Sequence, residues 1–377
     1  MKTDYKVVII GAGVVGLAVA RGLALHNIGS ILIIEKEDGF GRGISSRNSE
    51  VIHSGIYYPK NSLKVKYCLE GREKLYPFCK KNDVWHSRCG KLVVAQKGQE
   101  NELSHLFQNA QINGVPDLAM IGKNEISSLE PKISAESALF IGCTGIVSAH
   151  ELMIAFQRIS AEADHDLLVK ATVMGAKVES GIYSLSVEGP GDASYDVKSE
   201  WVVNSAGLSS SKIASFLWKP DKNKIPEIRF SKGSYFKLGS QWRHEVAHLI
   251  YPIPDKEHDS LGIHLSFDAA GDLKLGPDAD WLENKVENYN IPKNIIEKFF
   301  SAGKRYLPSL KKEDLSPDFA GIRPKRVVEE SEFSDFYISH EEDKGFPGWI
   351  NLLGIDSPGL TSAIAIGEDV AKWIAGV

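Results

Sequence analysis

At 377 residues the chain exceeds one average domain and can bury a sizeable core, and its composition, 43% hydrophobic and 25% charged, is that of an ordinary globular protein. A formal net charge of -5 gives no basis for holding a polyanion, so nucleic acid is excluded as an expected partner. No apolar run approaches the roughly 20 residues of a membrane helix, and the first strand begins almost at Met1, leaving no room for a secretory leader. The expected location is cytoplasmic, with peripheral contact on the inner face of a membrane kept open, because an exposed apolar patch leaves little trace in composition.

The chain opens on "YKVVIIGAGVVGLAVARGLALHNIGSILIIEKE": a β-branched strand (Val7 to Ile10), three glycines, a helix rich in Ala and Leu, and a second apolar strand ending at Glu35. A lone GxGxxG is weak evidence, but this one follows a strand, opens a helix and meets an acid about 20 residues on, the context of a dinucleotide-binding βαβ unit. Gly11 is expected to make the tight turn, Gly13 to let backbone approach a pyrophosphate, and Gly16 to let helix pack on strand. The helix N-terminus supplies NH donors and partial positive charge. Glu35 is expected to accept from ribose hydroxyls, which disfavours a 2'-phosphate. The fingerprint does not separate NAD from FAD, since both present an ADP half to this unit.

After a turn with Gly39, Gly41 and Gly43 comes "SSRNSEVIHSGIYYP". Ser45, Ser46, Arg47, Asn48 and Ser49 offer small polar side chains and loop NH groups to a pyrophosphate and the chain beyond it, and the second half would present His53 and a Tyr to a substrate. A helix over "SLKVKYCLEGREKLYPFCKKN" leads to the strand "GKLVVAQ". Downstream, "LLVKATVMGAKVESGIYSLSVEG" reads as a strand pair with Val173 near an adenine edge, and "EWVVNSAGLSSS" as a buried strand ending at Ala206-Gly207. The region 216–319 supplies alternating strands ("RFSKGSYFKLG", "HLIYPIP", "LGIHLSF", "DLKLGP") and a helical stretch ending near Leu307, a pattern that suits a mixed sheet with one face toward a ligand. "INLLGIDSPGLTSAIAIGEDVAKWIAGV" ends the chain as a strand, a turn at Ser357-Pro358-Gly359, and a long helix beginning near Leu360 whose N-terminus would face negative charge. Cys68, Cys79, Cys89 and Cys143 show no CxxC pairing and, even with His86 nearby, read as isolated thiols rather than a zinc site.

Taken together, "SSRNSEVIHSGIYYP", "CGKLVVA", "SKGSYFKL", "LIYPIPD", "LGIHLSFDAAGDLKLGPDA", "AGIRPKR" and "LGIDSPGLTSAIAIGE" resemble successive motifs of the D-amino-acid-oxidase-like superfamily of FAD-dependent oxidoreductases. Within it the chain most resembles the L-2-hydroxyglutarate dehydrogenase/oxidase group, and the likeness covers nearly its whole length. The resemblance implies a non-covalently bound FAD and an α/β fold (α+β overall). A Rossmann-like FAD-binding domain would come from 1–75, 145–215 and 320–377, and a second, mixed-sheet substrate-binding domain from 76–144 and 216–319. Val173 and Gly207 then join the cofactor-binding set, and the NH groups around Gly359, Leu360 and Thr361 would meet charge at the pyrimidine end of the flavin. Against that group the chain departs at Arg47, where a His is usual, and at Lys232-Gly233, where Arg-Gly is usual.

The implied activity is FAD-dependent oxidation of an L-2-hydroxy acid, above all L-2-hydroxyglutarate to 2-oxoglutarate, by hydride transfer to flavin N5, with oxygen or a quinone as electron acceptor. Oxidation of an amino acid or secondary amine is the alternative on the same scaffold. An alcohol also needs a base for its hydroxyl proton, and histidine suits neutral pH. His53 and His264 are the candidates, whereas His26, His105 and His165 sit in polar surroundings and are expected to be solvated. Arg323 in "AGIRPKR" is the expected clamp for the substrate carboxylate through paired hydrogen bonds. Lys91 and Tyr235 are candidates for a further carboxylate or for closing the site.

Overall fold

The structure, a computed structural model, describes residues 2–217, 225–254, 261–329 and 333–377. Of the motifs quoted above, Asp255 of "LIYPIPD" lies outside them. The first third of the chain forms β1 (Tyr5–Ile10), α1 (Val14–Leu25), β2 (Ile31–Ile34), β3 (Val51–Ile52), α2 (Leu63–Lys81), β4 (His86–Ser87), β5 (Lys91–Ala95) and α3 (Glu100–Ile112). There follow β6 (Leu118–Gly122), α4 (Lys123–Leu129), β7 (Ser137–Ile141), β8 (Gly145–Val147), α5 (Ala149–Glu162), β9 (Asp166–Leu168), β10 (Thr172–Glu179), β11 (Ile182–Glu188), β12 (Ser194–Asn204) and α6 (Ser210–Ala214). The remainder is β13 (Ile228–Leu238), β14 (Leu249–Pro252), β15 (Leu265–Phe267), β16 (Leu273–Leu275), β17 (Asp280–Trp281), α7 (Ile296–Lys304), β18 (Leu315–Arg326), β19 (Tyr337–His340), β20 (Trp349–Leu353) and α8 (Gly359–Ala375).

A parallel core runs β20-β12-β1-β2-β9, extended by the antiparallel β10-β11 hairpin on β12 and by β19 on β20. Both faces of this sheet are covered, which is why β1 and β2 read as unbroken apolar runs rather than alternating ones. On one face Val7, Ile9, Ile31 and Ile33 pack with Leu17 and Leu23 of α1 and Ile366 of α8; on the other Val8, Ile10, Leu32 and Ile34 pack with Val173, Tyr183 and Leu185 of the hairpin. Complete burial of Leu17 and Leu23 contributes roughly 1.5–3 kcal/mol each relative to exposure. The carboxyl ends of β1, β2, β12 and β20 reach one edge, so the chain leaves the sheet there at Gly11, Glu35, Ser205 and Gly354. In open α/β sheets that edge is where ligands bind.

The second large sheet runs β17-β13-β16-β15-β14-β5-β7-β6 with β18 alongside β13, and a small β3-β8-β4 sheet completes the set. It is mixed: β14 and β5 are parallel, the other pairs antiparallel. Residue 320 falls within β18, which pairs with β13 from Leu315 to Arg326. The strands expected at "LGIHLSF" and "DLKLGP" are shorter than the pattern suggested, because Gly262 (φ 75°) and Gly276 (φ 135°) hold positive φ and end the extended runs.

Candidate active site

A cavity of about 1290 Å³ lies along the carboxyl edge of the parallel sheet beneath the mixed sheet. One end is lined by Gly11, Gly13, Glu35, Val173 and Gly207, the other by His53, Tyr57, Tyr235, Tyr251, His264 and Arg323. A single continuous space larger than the roughly 300–1,000 Å³ of an ordinary ligand pocket suits an elongated cofactor with a substrate beyond it.

The first end is built largely from backbone. Gly11 has φ 102°, and a Cβ there would stand 2.6 Å from Ser205 O; a Cβ on Gly13 would meet Ser45 Oγ at 3.0 Å. Gly16 does not line the cavity, and a Cβ on it would stand 2.0 Å from Gly11 O, so its part is to let α1 sit against the turn. Ser45 Oγ accepts from Val14 N–H at 2.9 Å, fixing the second loop against the start of α1. Buried Glu35 accepts from Ala12 N–H (2.8 Å, Oε2) and Glu37 N–H (3.0 Å, Oε1), and these bonds hold its carboxylate at the cavity wall. Asn48 Nδ2 donates to Ser45 O at 2.7 Å, and Ser49 Oγ lies 2.8 Å from Tyr235 Oη. Arg47 stacks its guanidinium 4.3 Å from the Tyr289 ring centroid. Ser46 is exposed, donates to Gly43 O at 3.1 Å and does not line the cavity. A cradle that admits only glycine, a helix start facing the cavity and a carboxylate fixed at the second strand's end fit the ADP half of a dinucleotide.

At the other end, His53 leaves β3 with its N–H donating to Thr361 Oγ1 (3.0 Å) and its Nε2 3.2 Å from Ser357 Oγ. Thr361 is buried, donates to Val51 O at 3.2 Å and does not itself line the cavity. The Gly359 N–H is spent on Asp356 O at 2.6 Å, so the first turn of α8 offers the cavity less than three free amides. His264 bonds Gly262 O through Nδ1 (3.2 Å) and stacks on Tyr251 at 3.8 Å and 12°. Burial first, then the charge of Lys91, pulls both imidazoles down to about 3, with the neighbouring histidine also acting on His53 and Arg323 on His264. Both rings are therefore neutral at physiological pH.

Arg323 is more constrained than the sequence suggested. Its Nε and Nη2 donate to Ser231 O (3.5 Å), Lys232 O (3.3 Å) and Asp278 O (2.7 Å), so that edge is occupied by backbone and Nη1 carries the protons left for a ligand. Lys91 is fully buried with its Nζ 4.6 Å from the Tyr57 ring centroid and 4.7 Å from that of Tyr251, outside the cavity lining. Tyr235 is buried, with its ring stacked on Phe319 at 4.3 Å.

The expectation that His165 is solvated fails. It is buried, with Nδ1 3.0 Å from Ser160 Oγ and Nε2 3.0 Å from Ile28 O, because α5 ends against the loop before β2; His26 and His105 are exposed. Sequence reasoning missed Tyr251, Ser357 as the partner of His53, and the buried Lys64–Asp356 ion pair at 2.7 Å. Tyr251 was findable in principle, two residues from Leu249 on the same strand face; the ion pair joins residues too distant in sequence to carry a signal. Among the described residues no group of His, Cys, Asp and Glu could hold a metal ion.

Fold and site together define an oxidoreductase with a dinucleotide cofactor. Residues 6–373 match the family model described as FAD dependent oxidoreductase, and the chain belongs to that family. FAD is accordingly its cofactor, and the glycine cradle at Gly11 and Gly13 is consistent with it. The chain is 36% identical to the mitochondrial L-2-hydroxyglutarate dehydrogenase of Arabidopsis thaliana, over 98% of this chain and 83% of that one. It is 28% identical to the L-2-hydroxyglutarate dehydrogenase of an Escherichia coli strain, over 98% and 93%. In fold it is similar to the FAD-bound L-alpha-glycerophosphate oxidase of Mycoplasma pneumoniae (TM-score 0.87, 23% identity, 99% and 95% covered) and to glycine oxidase of Geobacillus kaustophilus (0.80, 18%, 99% and 95%).

Proposed function

We propose that the protein oxidises an L-2-hydroxy acid, namely L-2-hydroxyglutarate, to the 2-oxo acid. The observation that carries this reading is full-length similarity to L-2-hydroxyglutarate dehydrogenases of plant, animal and bacterial origin. The geometry supports it through a neutral imidazole and a guanidinium opening on one cavity. When bound, FAD supplies the acceptor for a hydride leaving C2 of the substrate. In this reading the segments 1–75, 145–215 and 320–377 hold the cofactor, through Gly11, Gly13, Glu35, Ser45, Arg47, Asn48, Ser49, Val173, Gly207 and the Leu360 amide. The segments 76–144 and 216–319 close over the substrate.

Arg323 Nη1 binds the C1 carboxylate, its orientation fixed by the three backbone carbonyls. His53 takes the hydroxyl proton at Nε2, directly or through Ser357 Oγ, whose hydroxyl can turn from donor to acceptor as the ring changes state. A carboxylate arriving opposite a half-buried imidazole raises the affinity of that ring for a proton, so substrate binding primes the base. His264 completes the wall, and Tyr235 is held by Ser49. The electron acceptor is oxygen or a quinone. No helix among the described residues is long and apolar enough to cross a membrane.

Anaerobic mixing with L-2-hydroxyglutarate tests the reading. Bleaching of the yellow protein with formation of 2-oxoglutarate is expected; bleaching by amino acids or secondary amines alone would transfer the site to amine oxidation.

A further inference from the structure

We propose that Lys91, together with Tyr57 and Tyr251, forms a subsite for the second carboxylate of the substrate and so selects dicarboxylic over monocarboxylic acids. The proposal rests on the hydroxy-acid reading above and names the residues that would distinguish one such acid from another.

The first observation is an uncompensated charge. Lys91 lies on β5 beside β14, with no exposed surface and no hydrogen-bond partner for Nζ. Its close neighbours are the faces of two tyrosine rings. The groups that act on its charge are the thiols of Cys143 and Cys68, with no carboxylate among them. Aromatic faces stabilise an ammonium only in part, and a buried cation without a counter-ion is strongly unfavourable. An anion lodged beside it relieves that imbalance.

The second observation is a set of donors gathered at the same place. Tyr57 Oη and Tyr251 Oη are both buried without a partner, and both side chains line the cavity. Buried polar atoms in folded proteins are nearly always paired, and two unpaired hydroxyls on the rings that flank an unpaired ammonium match the acceptor-only chemistry of a carboxylate. The charged or titratable groups around this cluster are His53 after β3, Cys68 and Arg72 on α2, Cys89 before β5, Cys143 after β7, Tyr58 in the loop before α2, Tyr235 on β13, His264 before β15 and Arg323 on β18. Arg72 is already tied to Ser54 O at 3.0 Å. Arg323 has spent one edge on backbone, so a second cation is what a dianion would still require.

The test uses the holoenzyme and two acids that cannot be oxidised at C2, glutarate and butyrate, followed by perturbation of the flavin spectrum. The wild type is expected to bind glutarate at least ~10-fold more tightly than butyrate, and Lys91→Met to bring the two within ~3-fold, as loss of a charged hydrogen-bond partner implies. Burial lowers Lys91 to about 7, and its charge is present below that value, so glutarate binding should weaken as pH rises through it. Should Lys91→Met fail to retain the cofactor, Tyr57→Phe and Tyr251→Phe are expected to shrink the same ratio. Equal binding of the two acids by the wild type, or a ratio unmoved by these variants, overturns the subsite. If L-2-hydroxyglutarate bleaches the flavin while the ratio is unmoved, the subsite fails and the reaction stands. If the ratio collapses in the variants while L-2-hydroxyglutarate leaves the wild type yellow, the reaction fails and the subsite stands.

Discussion

At the Gly11 end of the cavity the wall is mostly backbone, and the side chains there are already bonded to it: Glu35 to two amides, Ser45 to Val14 N–H. At the His53 end the wall is side chains from separate elements, and Tyr57, Tyr251, His264 and Lys91 keep polar atoms without partners. A backbone wall recognises the shape of its ligand and depends on a few glycines. A wall of unsatisfied side chains recognises charge, and each residue can be changed alone. Cofactor retention and substrate choice should therefore separate under mutation.

The largest effect is expected at Gly16. A valine there would press on Gly11 O and Ser205 Oγ, 2.0 and 2.7 Å from the added Cβ, so Gly16→Val should yield protein without FAD or no folded protein. A yellow variant with full cofactor content would break the contrast between the two ends. At the opposite end, His53→Ala should keep its colour while kcat falls by ~10²–10⁴, the usual worth of a positioned base; an unaltered kcat would move the base elsewhere. Arg323→Lys should act mainly on KM, by ~10–100-fold, as expected for losing a hydrogen bond to a charged group. An unchanged KM would place the clamp on another residue.

A smaller effect sharpens the picture of the ring end. Because burial, Lys91 and His264 hold His53 near 3, the free enzyme's base stays deprotonated well into acid. On the acid side the profile of kcat/KM should vary by less than ~2-fold between about pH 6.5 and pH 5 and fall only as His53 gains a proton below that, separate from the decline expected above about 7 as Lys91 loses its charge. An acid limb centred near the ordinary histidine value of about 6.5 would show that His53 is hydrated. The smallest change belongs to neither end: Lys123 and Glu136 pair at 2.8 Å with side chains 61% and 49% exposed. Glu136→Gln should move Tm by less than about 3 °C in a thermal scan.

Much of the Gly11 end was legible because its determinants are local. Gly11, Gly13, Gly16 and Glu35 fall within one βαβ unit, and periodicity placed both strands and the helix between them. The parallel core was legible for the same reason, since covered faces force continuous apolar runs. The His53 end was only partly legible. His53, His264 and Arg323 were singled out by motif, yet the partners that govern them come from afar: Ser357 and Thr361 for His53, Tyr251 for His264, the carbonyls of Ser231, Lys232 and Asp278 for Arg323. His165 misled because a polar neighbourhood in sequence concealed a bond to Ile28 O, contributed by tertiary packing alone.

The two helices that begin at opposite ends of the cavity are locked together along their lengths. A Cβ on Gly22 of α1 would stand 2.7 Å from Gly367 O of α8, and one on Gly367 would stand 2.4 Å from Ala18 O. On the other flank, a Cβ on Gly71 of α2 would stand 2.1 Å from Thr361 O. During synthesis Val14–Leu25 leaves the ribosome hundreds of residues ahead of Gly359–Ala375, a wait of tens of seconds at roughly 5–20 residues per second. The nascent chain thus carries an open groove on α1 until α8 is released to fill it.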